Sequence, residues 1–470
     1  MSQQAAALAL GTLALLAMVP AVVALRRARA FGDWDLTATL VFLVGALASL
    51  PTVLSALVSG RTVILDPFGN VVVGLSPWAL QVDQVSNALL LGAGLLFFAH
   101  RVAGGQAWIS AAPAIAIVLC LVVAFSDGLN GHGIFAPRQL VLLAVLLAAT
   151  VARPGRSALL GAATAGLLLA LLGGVQAFVH ADSVFRECRV DKCGPFGALF
   201  TGVFPNENTY GLPLALSVAL VWLAFRGPVR IVLAGYLVLV VFATGSRLSE
   251  MVAAAALVSL MVLRPSLAED GPAMDRPRAD ALAGRNGLAL LGVCGAAAVG
   301  FVLPLTASSP DTLSDRAYFW RFGLGEIARS PIYGFGAKSW EGLHQTGQVP
   351  VAFSYSPHNQ WLDLAYAGGI IGVGIFLALI AGILLLGGRA SFLAACCVLI
   401  PVLVASGLER PWSFGISDWL SFTLVAATLL PVHRRPVSVA EYGQARRAGS
   451  PVGAGFRPSP VDSPGRMPGR

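Results

Sequence analysis

Long apolar stretches recur down the whole chain, each closed by a cluster of Arg, Gly or Pro, and about twenty such residues suffice to cross a bilayer. Candidate spans lie near 5–25, 36–58, 83–99, 108–125, 139–152, 157–179, 209–225, 230–245, 248–263, 287–306, 359–386, 391–408 and 416–432. The runs 139–152 and 230–245 are short, so twelve spans are expected instead of thirteen if one of them re-enters. This patterning predicts an all-α, polytopic membrane helix bundle with one long, partly helical extracytoplasmic loop. Composition agrees: 57% of the 470 residues are apolar and only 11% charged, against about 25% charged in a soluble domain. Soluble enzymes, nucleic-acid readers and disulfide-rich secreted scaffolds are thereby excluded, although the net charge is +8.

The basic residues report topology. Short cytoplasmic loops retain Arg and Lys during insertion. Placing Arg26, Arg27, Arg29, Arg101, Arg153, Arg156, Arg226, Arg230, the segment 264–285, Arg389 and the C-terminal tail inside accounts for twenty of the thirty-one. The remaining eleven fall mostly in three outer places: the segment from Arg186 to Lys192, the neighbourhood of Arg247, and the loop 307–357. Arginines that break the positive-inside rule are candidates for anion binding. The first run follows Met-Ser-Gln-Gln and precedes Arg26, Arg27 and Arg29, which reads as an outside-in anchor and not a cleavable signal. The stretch 436–470 is rich in Pro, Gly, Ser and Arg, and a disordered, basic cytoplasmic tail is expected over 433–470.

Six cysteines divide into two kinds. Cys120, Cys294, Cys396 and Cys397 lie in apolar spans, where a thiol behaves as a small hydrophobe. Cys188 and Cys193 sit close together in an expected outer loop, where a local disulfide is favoured over a metal site because no histidine pair accompanies them.

The loop 307–357 and the helix after it hold the informative polar residues. Ser314 and Asp315 form an expected cap for a helix on which Phe319, Trp320, Leu324 and Ile327 share a side. Arg316 stands in its first turn, where the helix dipole disfavours a cation, and an anion such as phosphate would suit that spot. Ser330 to Gly336 reads as a turn. A further helix is expected to begin at Pro357, putting His358 in its first turn, where the dipole favours a neutral, proton-accepting imidazole. Helical periodicity carries Gly369 onto nearly the same face about three turns deeper, and Gly368 with Gly372 makes a small-xxx-small pair for close helix approach.

At these residues the sequence resembles the O-antigen ligase and O-antigen polymerase superfamily, from about Gly202 to Glu409. His358-Asn359 with Gly369 resembles the family's His-Asn and distant Gly; Arg316, Trp320, Pro331, Gly334 and Gly336 resemble its outer-loop pattern. Ser246-Arg247 and the run Gly202, Phe204, Asn208 resemble two earlier motifs, and Met251 stands where the ligase pattern often has Leu. The resemblance implies transfer of a glycan from an undecaprenyl-pyrophosphate carrier to an acceptor glycan, lipid or protein hydroxyl outside the cytoplasm. No nucleotide sugar, cofactor, metal or nucleic acid is implied. It makes 1–200 N-terminal helices and 201–432 the catalytic membrane region, the bilayer being the constant partner. On that reading Arg247 and Arg316 hold the pyrophosphate, His358 is the general base, and Arg321, Asn359, Trp320, Asn208 and Gly369 contribute to substrate binding. Glu207, Glu250, Asp363 and Glu409 remain open as supports for His358 or an arginine. Direct attack by the acceptor implies inversion, since no carboxylate pair for a double displacement stands out. Polymerase and ligase share the donor site; a polysaccharide or lipid-carrier transporter is the reading from another class, for which internal repeats would be expected.

Overall fold

The structure, a computed structural model, describes residues 2–59, 62–65, 71–74, 77–105, 107, 109–189, 192–265, 279–306, 316–346, 348 and 356–431. In chain order these form α1 (Gln3–Ala30), α2 (Leu36–Ser59), the antiparallel pair β1 (Thr62–Leu65) and β2 (Val71–Gly74), α3 (Pro77–Ala103), α4 (Ala111–Leu129), α5 (Pro137–Thr150) and α6 (Arg156–Val179). Next come α7 (Ala181–Val184), the paired β3 (Phe185–Arg186) and β4 (Leu199–Phe200), α8 (Glu207–Ala224), α9 (Val229–Thr244), α10 (Arg247–Leu263) and α11 (Ala279–Thr306). Finally α12 (Arg316–Ile327) and α13 (Ser339–Gln345) precede α14 (Gln360–Leu385), α15 (Gly388–Ser406) and α16 (Ser421–Thr428).

Every expected span but the last coincides with a helix, and among the described residues seven helices are long and apolar enough to cross a membrane. The protein is a polytopic, all-α membrane protein. The two runs that looked short are short: α5 has 14 residues and α9 has 16, about 21 and 24 Å of helix against a hydrocarbon core of about 30 Å. The last expected span, 416–432, departs from expectation. Only the 8 residues of α16 are helical there, and all of them are buried. The chain before them is held non-helical by Asp418, whose carboxylate accepts from the Leu420 N–H at 2.9 Å and the Ser421 hydroxyl at 3.2 Å, a local side-chain pattern that competes with helix. The β1–β2 hairpin was not foreseen. The expected Ser314-Asp315 cap, most of the linker 264–285 and the tail 433–470 lie outside the described residues.

Small residues set how closely the helices pack. On α6, a Cβ at Gly161 would overlap the Ala38 carbonyl of α2, and one at Gly166 would overlap the Ser217 side chain of α8. Close backbone approach of this kind replaces the hydrophobic drive that water supplies in soluble bundles. Residues Met1–Val432 form one compact unit.

Chain reversals collect on two faces. On one, Arg226 meets Asp33 at 3.3 Å, the Ser110 N–H donates to the Thr150 carbonyl at 2.9 Å, and the Gly155 N–H donates to the Leu429 carbonyl at 2.8 Å. The other face gathers the end of α4, the starts of α5, α8, α10 and α14, and the segment after α15. There Arg138 pairs with Asp83 at 2.7 Å and its carbonyl accepts from the Ser417 N–H at 3.0 Å. All the candidate site residues except Gly369, which lies farther along α14, belong to this second face.

Candidate active site

The helix α14 begins three residues later than the proline suggested. Asn359 is its N-cap: the amide oxygen accepts from the N–H groups of Trp361 and Leu362, both at 3.0 Å. An Asx cap satisfies first-turn donors that a proline cannot reach. The amide nitrogen donates to the carbonyls of Gly300 at 3.0 Å and Gly407 at 2.9 Å, tying α14 to α11 and to the end of α15. These four bonds fill the amide's capacity, so the Asn359 side chain locks the start of α14 to its neighbours.

His358 therefore precedes the cap and is not in the first helical turn. Its φ is 51°, one of two positive values among the described non-glycine residues, and the residue is 3% exposed. Its Nδ1 lies 2.9 Å from Oε2 of Glu409, and Oε1 of the same carboxylate accepts from Nη2 of Arg316 at 3.0 Å. Nε of Arg316 donates to the Leu408 carbonyl at 3.1 Å. Three elements thus converge on one carboxylate: the start of α12, the lead-in to α14 and the segment after α15. Burial pushes the Glu409 carboxyl up, but the charges and hydrogen bonds of His358 and Arg316 outweigh it and bring it down to about 2. Arg316, unexpected in a first helical turn, is compensated by this carboxylate.

Trp320 supports the same spot from α12. It is fully buried, and its indole N–H donates to the Pro357 carbonyl at 3.0 Å, fixing the residue just before His358. Phe319 packs with Trp340 and Tyr366, so the amphipathic helix lies on protein through a small aromatic core. Arg321 points to the exposed side. Beside the triad, Arg410 bonds Asp363 at 3.2 Å.

Gly369 is not on a continuous helical face with His358. It has φ 61° and ψ −160°, which breaks α14, and the turn after α12 enters the break. The Ile370 N–H donates to the Pro331 carbonyl at 2.9 Å, while the N–H groups of Phe335 and Gly336 donate to the carbonyls of Tyr366 at 2.7 Å and Ala367 at 3.0 Å. A Cβ at Gly369 would overlap the Ile332 carbonyl, and one at Gly334 would overlap that of Tyr366. The glycines of turn and helix are one device. The end of α4 clamps it from behind: Ser126 bonds the Tyr333 carbonyl, Asn130 the Gly334 carbonyl at 3.2 Å, and Asp127 the Lys338 N–H at 2.9 Å. A Cβ at Gly368 or Gly372 would meet the α4 side chains only at ordinary van der Waals distance, so the close helix approach expected of this pair is not made here.

A second cluster joins α8 to α10. Cys188 and Cys193 are disulfide-bonded, as expected, and Arg189 pairs with Lys192 across the enclosed loop. Lys192 reaches inward to form an ion pair with Glu207 and to donate to the Asn208 amide oxygen at 3.1 Å. That oxygen also accepts from the Ser246 hydroxyl at 2.7 Å. Ser246 caps α10, leaving Arg247 exposed in its first turn. Asn208 is accordingly a link between α8, α10 and the disulfide loop.

Sequence reasoning missed Arg410 and, at the end of α4, Ser126, Asp127 and the C-cap Asn130. The signal for the last three was present as a polar cluster closing an apolar run. No curated protein matches the chain. A family model described as O-antigen ligase matches residues 209–377, from α8 into α14. The segment holds Arg247, Arg316, His358 and Gly369, while Glu409 lies beyond it. Over this segment, about a third of the chain, the protein is similar to the O-antigen ligase family.

Proposed function

We propose that the protein is a membrane glycosyltransferase that moves a glycan from an undecaprenyl-pyrophosphate donor to an acceptor hydroxyl on the extracytoplasmic face. The acceptor is a growing glycan for a polymerase, or a lipid or protein for a ligase. The observation that carries this reading is the His358 imidazole held at 2.9 Å on a carboxylate that also binds Arg316. With its carboxyl brought down to about 2, Glu409 is ionised at neutral pH and only accepts hydrogen bonds. Chemistry thus assigns the shared proton to Nδ1 and leaves the Nε2 lone pair as the base.

The acceptor O–H gives its proton to Nε2 while its oxygen bonds the anomeric carbon. The bond from that carbon to the pyrophosphate oxygen breaks, and its electron pair leaves with the pyrophosphate. Attack opposite the leaving group inverts the anomeric centre. Glu409 stabilises the imidazolium so formed and holds its ring in place. Burial of His358 limits competition from bulk water. Arg316 is anchored by Leu408 and Glu409, so its positive charge is fixed before substrate arrives. Arg247 and Arg321, exposed on the same face, add positive charge for the lipid pyrophosphate. Charge stabilisation by guanidinium groups requires no metal in this scheme.

Purified protein supplied with an undecaprenyl-pyrophosphate glycan and an acceptor tests the proposal. Product with inverted anomeric configuration by NMR, formed undiminished in the presence of a chelator, is expected. Retained configuration, or a requirement for a nucleotide sugar, would overturn it.

A further inference from the structure

On the face opposite His358, a cavity of about 220 Å³ opens between the start of α6, the α8–α9 turn and the end of α10. That volume equals roughly seven waters at their share of liquid volume. Arg156, Arg226 and Arg230 line it together with Trp222, Phe225 and Pro265, and no acidic residue is among the described lining. Arg156 is 2% exposed and forms the deep end of the lining. Arg230 is held with its guanidinium carbon 4.7 Å from the Trp222 ring centroid. Arg226 is steadied by Asp33 at 3.3 Å and by the Phe31 ring at 5.5 Å. Three oriented cations around a concave space of this size suit a phosphate oxyanion. The first turns of α6 and α9, neither of which has a side-chain cap, add partial positive charge from the same side.

The flank of the cavity indicates where the phosphate comes from. Phe31 is 65% exposed, and Ile231 and Val232, in the first turn of α9, are 58% and 55% exposed. Apolar surface beside a cationic cavity at the end of a membrane helix suits acyl chains continuing from a bound headgroup. We propose that this cavity binds a phosphate-bearing anion, the headgroup of an anionic phospholipid, at a site separate from the transfer centre. Neither His358 nor Glu409 takes part, so the proposal stands or falls independently of the glycosyltransferase reading.

The test uses the purified full chain in detergent micelles, titrated separately with phosphatidylglycerol, phosphatidylcholine and inorganic phosphate, with bound ligand counted by native mass spectrometry. Phosphatidylglycerol should bind at least about tenfold more tightly than phosphatidylcholine, and Arg226→Gln/Arg230→Gln should remove that preference. Arg230→Gln alone should weaken it in part. Arg153→Gln, which takes the same charge from the same face outside the cavity, should leave it unchanged. Phosphate that competes with phosphatidylglycerol supports the shared anion site; phosphate that binds while phosphatidylglycerol shows no preference assigns the cavity to free phosphate and overturns the headgroup. Equal binding of the two lipids, or an equal loss in Arg153→Gln, overturns the site.

Discussion

Glu409 is the residue on which the site turns, and it was legible only as one of four candidate carboxylates. Its partner His358 lies 51 positions earlier, across all of α14 and α15, and no local spacing rule joins residues that meet through a bundle. His358 itself was legible, but its place was not: Pro357 and Asn359 are both good helix starters, and the asparagine wins because its side chain satisfies two N–H groups. Replacing Glu409 by Gln removes the fixed negative charge while keeping the size. Transfer by Glu409→Gln is expected to fall about 10²–10⁴-fold, with donor binding much less affected, as measured by transfer and donor-binding assays on the same preparation. The same carboxylate makes a stability signature. Its pKa is lowered from 4.5 to about 2, so its contribution is complete above the unfolded value and disappears as pH falls through the folded one. The difference in Tm between the wild type and Glu409→Gln should therefore shrink progressively as pH falls from about 5 towards 2.

At the scale of elements, the apolar runs and the amphipathic α12 could be read directly, because periodicity and length are local properties. The break in α14 could not. Gly369 looked like one more small residue on a continuous face, whereas it is the point where the Pro331–Gly336 turn hydrogen-bonds into an opened helix. Only the coincidence of glycines in two distant segments hinted at it. Two substitutions in the same helix separate the meanings of glycine. Gly369→Ala puts a Cβ onto the Ile332 carbonyl at a positive φ, and should cost about 2 kcal/mol or more and lower transfer with it. Gly374→Ala meets nothing within 4 Å and should be neutral or slightly stabilising through helix propensity. Thermal unfolding of both variants in one detergent checks the contrast; equal losses would mean that the turn does not depend on the break.

For the whole molecule, the order of the spans carried most of the architecture, since each reversal changes face and the arginines sort with the faces. The exception is α16, where the hydrophobicity of 416–432 suggested a crossing helix but Asp418 and Ser421 favour a local turn inside the protein. With the His358 face outside, a single cysteine at Glu341 on α13 should be labelled by an impermeant thiol reagent in intact cells. One at Arg153 should be labelled only after lysis. Labelling of both from one side would reverse or void the topology. The reaction depends on all these parts together, and His358→Asn probes it most directly, because asparagine tolerates the left-handed backbone at this position and lacks the base. In purified protein given an undecaprenyl-pyrophosphate glycan and an acceptor, His358→Asn should bind donor like the wild type and transfer it about 10²–10⁴-fold more slowly; transfer at the wild-type rate would contradict the assignment of His358 as the proton acceptor.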